Sequence, residues 1–190
     1  MPLYTKLGDS GQTMLYGGEK VLKSEPRIHA YGSIDELNAL LGVLLVEKLP
    51  KKLHAQLTTI QHALYIAGAD LATPHQSLRS GAGQAPLPTK RITQEQVEEL
   101  EQWIDALEAK VPKLTRFILP GGTRAGSLLH QARTVCRRAE RWIVALMKTD
   151  DINFACLRYV NRLGDFFFAA ARVVNKEGGI PELQAGGSGL

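Results

Sequence analysis

The 190-residue sequence lacks several features that would place it in a specialised class of protein. No stretch reaches the ~18 consecutive apolar residues that a membrane-spanning helix needs, because Arg172 interrupts even the most apolar run. The first residues show no basic segment followed by an apolar run, so we expect no secretory signal. The two cysteines, Cys136 and Cys156, fall within helical patterns, which favours buried thiols over a disulfide. We therefore expect a cytoplasmic protein that does not bind membranes.

The sequence also lacks a large net charge and the common catalytic motifs. The net charge is only +4 at pH 7, too small an excess to indicate nucleic-acid binding unless it is concentrated on one surface. No Walker A loop of the form GxxxxGK[ST] occurs. The 5 histidines show no metal-ligand spacing. Since there is also no credible His/Asp/Ser constellation, we expect no general-base catalysis.

What the sequence does contain is helical periodicity. From residue 33 onward the apolar residues recur at intervals of three and four. They predict five helices, at about 34–48, 51–72, 94–111, 124–148 and 154–176. Capping pairs are predicted at Ser33/Glu36 for the first helix and at Thr93/Gln96 for the third. No segment alternates with period two for long enough to indicate a sheet. The predicted fold class is all-α, a five-helix antiparallel bundle.

The chain is expected to form a single domain over residues 1–190. Within it, residues 74–91 are rich in proline, glycine and serine, which predicts a mobile loop. Residues 180–190 are predicted to form a flexible tail.

A glycine-rich arm, TKLGDSGQT, precedes the helices at residues 5–13. Its glycines permit positive φ, so successive amides can converge on an anion and form a phosphate nest. The candidate ligand-binding residues are Thr5, Lys6, Gly8, Asp9, Gly11 and Thr13 of the arm and Lys23 of the following YGGEKVLK segment. The alternative interpretation is a polar arm that is ordered only by packing, because glycine-rich turns are common.

The fourth predicted helix carries an arginine-rich face. At 100° per residue, Arg133, Arg137 and Arg141 lie within about 80° of one another, and His130 and Glu140 fall on the same side. The arginines of this segment would repel one another on an isolated helix. Water and salt, acids of another helix or a ligand must offset that charge. Guanidinium groups bind phosphate bidentately, which favours a polyphosphate, whereas a solvated basic face is the alternative.

Three further residues have both an ordinary and a functional interpretation. Asn161 sits at the edge of the apolar stripe of the fifth helix, so its amide is either tied to a neighbouring helix or directed at a ligand. Asp35 in SIDELN could simply favour the macrodipole of a first helical turn. Phe117, just before an LPGG turn, would by default be a core residue.

The order of these motifs resembles the ATP:cob(I)alamin adenosyltransferase family of the propanediol-utilisation type. The blocks that carry the resemblance are TKxGDxGxT, GGEKVLK, AYGSIDELNALLG, FILPGG, ARTVCRRAERWIV and RYVNRLGDFFFAAAR. They extend from about residue 4 to residue 175. Six blocks in one order are far more specific than any single block.

The resemblance implies a homotrimer of five-helix bundles, with ATP bound between adjacent subunits. It implies transfer of the 5′-deoxyadenosyl group of ATP to the cobalt of cob(I)alamin, with release of inorganic triphosphate and with Mg²⁺ on the phosphates. A flavin reductant and a cobalamin-dependent mutase or dehydratase are the partners that it suggests, and it suggests neither nucleic acid nor a membrane.

The resemblance also assigns roles to residues of this sequence. The arm from Thr5 to Thr13 and Lys23 would contact the triphosphate. The residues that would face the nucleotide are Arg137, Arg138, Glu140, Arg141 and Asn161, with Asn161 as the candidate Mg²⁺ contact. Asp35 and Arg133 match a pair that forms an intersubunit salt bridge and helps to position the corrinoid. Phe117 matches the aromatic residue that occupies the lower face of the corrin and displaces its dimethylbenzimidazole ligand.

Other functions remain open at this point. Another ATP-dependent enzyme, such as a phosphotransferase, could use the same arm and arginines. A helical module could bind nucleic acid through the fourth helix, although few aromatic residues accompany its basic ones. A structural bundle could use the arginines for subunit contacts alone, which would leave the glycine-rich arm without a role.

Overall fold

The computed structural model describes residue 4 and residues 6–15, 18–74 and 90–185. These residues form five helices and a small two-stranded sheet. In chain order the elements are β1 (Gln12–Met14), β2 (Lys20–Leu22), α1 (Pro26–Leu45), α2 (Lys51–Ala72), α3 (Gln94–Glu108), α4 (Arg124–Leu146) and α5 (Phe154–Glu177). The prediction of five helices is confirmed, and α2 has the predicted bounds.

The glycine-rich arm contains a β-hairpin that the sequence did not predict. Strands β1 and β2 are antiparallel, with Thr13 opposite Val21 at the centre of the register. The expectation of no sheet is wrong here, because strands of three residues are too short to show an alternating pattern.

Two helix starts show how local capping signals compete. Helix α1 begins at Pro26, well before the predicted start at Ile34, and proline is well suited to a first helical turn. Ser33 is therefore buried in the interior of α1, and the predicted cap at this residue is wrong. In contrast, the capping box of Thr93 and Gln96 opens α3 as predicted.

The helix directions follow from contacts between helix ends. Arg27 at the start of α1 lies 3.3 Å from Asp150, just beyond the end of α4. Glu47, just after α1, pairs with Arg124 at the start of α4 at 2.8 Å, so α1 and α4 are antiparallel. Helices α3 and α5, by contrast, run parallel, because Arg158 near the start of α5 bonds Gln94 at the start of α3. Consecutive helices are antiparallel, and α3 and α5 are the one parallel pair among the described helices that pack on each other.

The core is a continuous cluster of apolar side chains from all five helices. Phe166 and Phe167 of α5 are completely buried at its centre. Cys136 and Cys156 are buried free thiols, as predicted. Among the described residues, no helix combines the length and apolarity needed to cross a bilayer.

A buried carboxylate joins the chain on either side of residues 75–89. Asp70, near the end of α2, is 3% exposed. It forms an ion pair with Arg91 and accepts a hydrogen bond from the Ile92 amide at 3.2 Å. Asn153, the cap of α5, donates to the same carboxylate at 2.7 Å. One side chain thus links the end of α2 to the starts of α3 and α5. The loop predicted at 74–91 falls largely on residues 75–89, which lie outside the described residues.

The segment after α5 differs from the predicted tail. Residues 180–185 return to the loop between α3 and α4, where Gln184 pairs with Ile118 in an antiparallel bridge. The Leu119 amide donates to the Leu183 carbonyl at 2.7 Å. The prediction of a flexible tail is therefore wrong for residues 180–185, and residues 186–190 lie outside the described part.

Candidate functional site

Helix α4 presents Arg137 and Arg141 on its exposed side, as predicted for the arginine face. Its start is capped by the Thr123 hydroxyl, which accepts a hydrogen bond from the Gly126 amide at 3.0 Å. Arg137 and Arg141 are exposed and make no hydrogen bond or ion pair with the described residues. Arg138 lies on the flank and forms an ion pair with Glu36 of α1, which offsets its charge within the same chain.

Arg133 is partly buried, unlike the exposed Arg137 and Arg141. Its guanidinium lies 5.7 Å from the ring centre of Phe168 on α5. Its Nε is buried and has no hydrogen-bond acceptor among the described residues. Because a buried donor without a partner is costly, the side chain is suited to receive an acceptor from a ligand or from another subunit.

A cavity of about 550 Å³ lies beside these arginines. It is bounded by the loop between α3 and α4, by α4 and by α5. Its lining residues are Leu114, Thr115, Arg116, Phe117, Ile118, Arg133, Arg137, Gly164, Asp165 and Phe168. The structure therefore brings together three of the predicted site residues, which are Phe117, Arg133 and Arg137.

Phe117 is not a core residue. Its side chain is 88% exposed, although a phenyl ring gains ~1.5–3 kcal/mol when it is fully buried. The core interpretation of this residue is therefore excluded. An exposed aromatic ring at the wall of a cavity is suited to a ligand with a large apolar face.

Asn161 of α5 contacts Glu140 of α4, so its amide is tied to a neighbouring helix, which was one of the two interpretations of this residue. The Asn161 amide donates to Glu140 at 2.8 Å and accepts from Arg162 at 2.9 Å. Arg162 in turn pairs with Glu101 of α3 at 2.8 Å. Asn161 is exposed rather than partly buried, so the amide lies on an accessible polar surface between α4 and α5.

His130 was expected on the arginine side, but the structure buries it. It is 3% exposed and contacts the edge of Phe168, with 6.0 Å between ring centres. Burial lowers the pKa of His130, and the positive charge of Arg133 lowers it further, whereas Glu182 opposes the shift. Its Nδ1 is buried without a hydrogen-bond partner in the described part of the chain.

The glycine-rich arm is organised around Lys23. The ammonium of Lys23 donates to the Gly8 carbonyl at 2.9 Å. A Cβ at position 8 would lie 2.9 Å from that nitrogen, so a larger residue there would require the flexible end of Lys23 to shift. Gly11 has φ +79°, which favours glycine.

Part of the predicted nest is used within the arm itself. The Asp9 amide donates to the Lys6 carbonyl and the Gly11 amide donates to the Gly8 carbonyl, both at 3.2 Å. Lys6 has φ +60°, and its ammonium lies 6.0 Å from the ring centre of Tyr4. Thr5 lies outside the described residues.

The arm and the arginine face are separate within one chain. Among the described elements, neither β1 nor β2 packs against a helix of the same chain. Asp35 is exposed and makes no ion pair with Arg133 in this chain. A site that uses both parts needs contacts beyond those of a single subunit.

The sequence did not single out two residues that hold the loop bearing Phe117. Asn175 of α5 is 5% exposed, accepts from the Thr123 amide at 2.9 Å and donates to the Gly121 carbonyl at 2.8 Å. Arg172 of α5 is 5% exposed and donates to the Pro112 carbonyl at 2.7 Å. Gly122 of the LPGG turn was the available signal, because it has φ +108° and a Cβ at this position would clash with the Asn175 side chain.

Comparison with known sequences identifies the family. The sequence profile described as cobalamin adenosyltransferase matches residues 3–174. The chain belongs to the cobalamin adenosyltransferase family. Within this family it is 48% identical to a corrinoid adenosyltransferase of Bacillus subtilis, over 97% of this chain and 92% of the relative. It is 43% identical to a cobalamin adenosyltransferase of Cupriavidus metallidurans, over 92% and 89% respectively.

Solved structures of the family share the fold. A variant of a PduO-type ATP:corrinoid adenosyltransferase from Lactobacillus reuteri, complexed with cobalamin and ATP, superimposes with a TM-score of 0.87. It is 41% identical, and the match covers 98% of this chain and 100% of that one. A second variant of this adenosyltransferase, complexed with ATP, has a TM-score of 0.86 at 40% identity and covers 96% and 99%.

Proposed function

We propose that this chain transfers the 5′-deoxyadenosyl group of ATP to cob(I)alamin, giving adenosylcobalamin and inorganic triphosphate. The observation that carries the proposal is the cavity in which an exposed aromatic residue, Phe117, stands beside two arginines, Arg133 and Arg137. An apolar ring suits the corrin, and guanidinium groups suit the phosphates of the co-substrate. Membership of the family supports the same activity.

The reaction requires alignment and charge stabilisation more than proton transfer. The Co(I) electron pair of the substrate attacks the ribose 5′-carbon, the bond from that carbon to the phosphate oxygen breaks, and triphosphate leaves with the bonding electrons. The residues of this chain must hold the two substrates in line. We propose that Arg137 and Arg141, which make no ion pair among the described residues, stabilise the charge on the departing oxygens.

Asn161 and Glu140 are the residues that we propose to stand next to Mg²⁺ on the triphosphate. Their side chains touch at 2.8 Å and offer oxygen atoms, the ligand type that Mg²⁺ prefers. Within the described residues no group of three or more His, Cys, Asp or Glu side chains could hold a metal ion. The ion, when bound, would neutralise part of the phosphate charge. Asn161 and Glu140 would orient the nucleotide that carries it.

We propose that the complete site forms between subunits of a homotrimer. Gly8 and Gly11 precede strand β1 and Lys23 follows strand β2, and among the described elements neither strand packs on a helix of its own chain. The hairpin could then cover ATP held by Arg137 of a neighbouring subunit, and Asp35 could pair with Arg133 across the same interface. Light scattering coupled to size exclusion tests the trimer, and Asp35→Ala tests the interface pair.

Phe117 is proposed to lie beneath the corrin in place of the dimethylbenzimidazole ligand. Four-coordinate cob(II)alamin is easier to reduce, so a flavin reductant could then supply the electron. Phe117→Ala should leave ATP affinity unchanged and lower turnover from cob(II)alamin. A turnover equal to that of the wild type would refute this role.

The activity is tested by mixing the protein with ATP, Mg²⁺ and chemically reduced cobalamin. We expect an absorption spectrum of adenosylcobalamin that depends on ATP. Phosphorus NMR of the products separates the proposal from a phosphotransferase, because adenosyl transfer releases intact triphosphate whereas phosphotransfer releases ADP or AMP. Absence of adenosylcobalamin would refute the proposed function. A cobalamin-dependent mutase or dehydratase is the proposed recipient of the product.

A further inference from the structure

The position of Phe117 is set by its backbone rather than by its side chain. The side chain is 88% exposed, so few contacts with its own chain restrain the ring. It lies in the loop that joins α3 to α4, a region without a helix. For the ring to occupy one position beside the cavity, the loop backbone must be held by neighbouring segments.

The segment after α5 supplies that restraint. The Ala185 amide donates to the Phe117 carbonyl at 2.8 Å, and the Leu119 amide donates to the Leu183 carbonyl at 2.7 Å. These two hydrogen bonds flank the bridge between Ile118 and Gln184. The backbone on both sides of Ile118 is therefore fixed to a single strand-like segment.

That segment is in turn attached to the core through one buried arginine. Arg172 of α5 is 5% exposed and binds the Glu182 carboxylate with two donors, Nε at 2.5 Å and Nη2 at 3.2 Å. The same Nη2 donates to the Pro112 carbonyl at 2.7 Å, in the chain that leads into the Phe117 loop. A bidentate, charge-assisted pair is strong and directional. Arg172 thus links α5 to the segment after it and to the approach to the loop.

We propose that Arg172 and Glu182 are positioning residues that hold Phe117 in place for the reduction of cob(II)alamin. Glu182 acts through the backbone of residues 183–185, and neither residue needs to touch a substrate. The proposal rests on the function proposed above, since it presupposes that Phe117 displaces the lower ligand of the corrinoid.

The test compares Glu182→Ala with a matched control, Glu177→Ala. Glu177 is an exposed carboxylate at the end of α5 without an ion pair among the described residues. The measurements are the ATP dissociation constant, turnover from cob(II)alamin with a reduced flavin, and the fraction of four-coordinate cob(II)alamin seen by electron paramagnetic resonance. We expect Glu182→Ala to lower turnover and the four-coordinate fraction of cob(II)alamin about threefold or more, because the Arg172–Glu182 pair is coupled to the position of Phe117. The ATP dissociation constant should not change. Glu177→Ala should match the wild type.

A double variant separates positioning from a general loss of stability. If Glu182 acts only through Phe117, then Glu182→Ala should have no further effect on the four-coordinate fraction in a Phe117→Ala background. Additive effects would overturn the proposal, and so would a Glu182→Ala protein that behaves like the control. If Phe117→Ala itself leaves the four-coordinate fraction unchanged, the proposed role of Phe117 fails as well, so the two failures are distinguishable.

A second pair of variants decides the matter if Glu182→Ala is poorly folded. Ala185→Pro removes the amide that donates to the Phe117 carbonyl, whereas Ala185→Ser keeps it. We expect the proline variant to lower the four-coordinate fraction and the serine variant to retain it. Equal fractions in the two variants would overturn the proposal.

Discussion

Replacing Arg137 with alanine should separate catalysis from stability. Arg137 is exposed on α4 and makes no hydrogen bond or ion pair with the described residues, so the substitution breaks no polar contact in the chain. It also removes the repulsion between Arg137 and its two like-charged neighbours at a spacing of four residues, Arg133 and Arg141. Each such pair destabilises a helix by ~0.2–0.5 kcal/mol, less in salt. The stem of Arg137 packs over Gly164, and the loss of this contact acts in the opposite direction. The free energy of unfolding should therefore change by less than ~0.5 kcal/mol.

The effect on the reaction should be much larger. Removing one fixed donor from a developing negative charge costs ~2.7–4 kcal/mol, which corresponds to ~10²–10³-fold in kcat. The assay should use chemically reduced cob(I)alamin, so that reduction of the cobalt does not limit the rate. Arg124→Ala is the matched control on the same helix, because Arg124 is 78% exposed and its one ion pair among the described residues is with Glu47. The control should keep full activity and lose at most ~1 kcal/mol of stability.

Two results would refute this reasoning. If Arg137→Ala retained the kcat/KM of the wild type, Arg137 would not stabilise the leaving triphosphate. If instead activity and melting temperature fell together, the loss would come from the fold, and the assignment of Arg137 to the phosphates would lose its support.

Three further predictions concern the fold around the site. Gly126→Ala should lower the free energy of unfolding by ~2–4 kcal/mol, because the new Cβ would clash with Asn175 Oδ1 and displace a hydrogen-bonded side chain. The control is Gly42→Ala, because the nearest atom to a Cβ at that position is 3.8 Å away. It should raise the free energy of unfolding by ~0.5–1 kcal/mol in the same denaturation assay. Because burial raises the pKa of the Cys136 and Cys156 thiols, a thiol reagent at pH 8 should label both only after unfolding; rapid labelling of the native protein would contradict this. Burial and Arg133 lower the pKa of His130, so the folded state favours the neutral imidazole. The stability that the neutral imidazole contributes should be complete above the unfolded pKa of ~6.5 and should be lost as the pH falls through the folded pKa. In His130→Gln, the free energy of unfolding should not show this decline.

Helical periodicity predicted most of the architecture, because long amphipathic helices carry many repeats of the signal. It failed where signals were short or competed. Ser33 and Glu36 resemble a capping pair, yet α1 begins earlier, at Pro26. The residues from Pro26 to Ser33 belong to the same helix. The hairpin strands Gln12–Met14 and Lys20–Leu22 were too short to detect.

The candidate site was predicted as far as residue types and motif order allow. Arg133, Arg137 and Phe117 line one cavity, and Asn161 bonds Glu140. The roles of the residues that support the loop could not be predicted, because they depend on contacts between distant parts of the chain. Asn175 looks like an ordinary polar residue near a helix end, and Arg172 like one that merely interrupts an apolar run.

The junction at Asp70 also bears on how the protein could be engineered. Since this carboxylate fixes Arg91 and Ile92 directly against the end of α2, the helices on either side of residues 75–89 are joined by contacts outside that segment. The helices should therefore tolerate a fused reporter domain inserted within that segment, or a break in the backbone that leaves two fragments to associate.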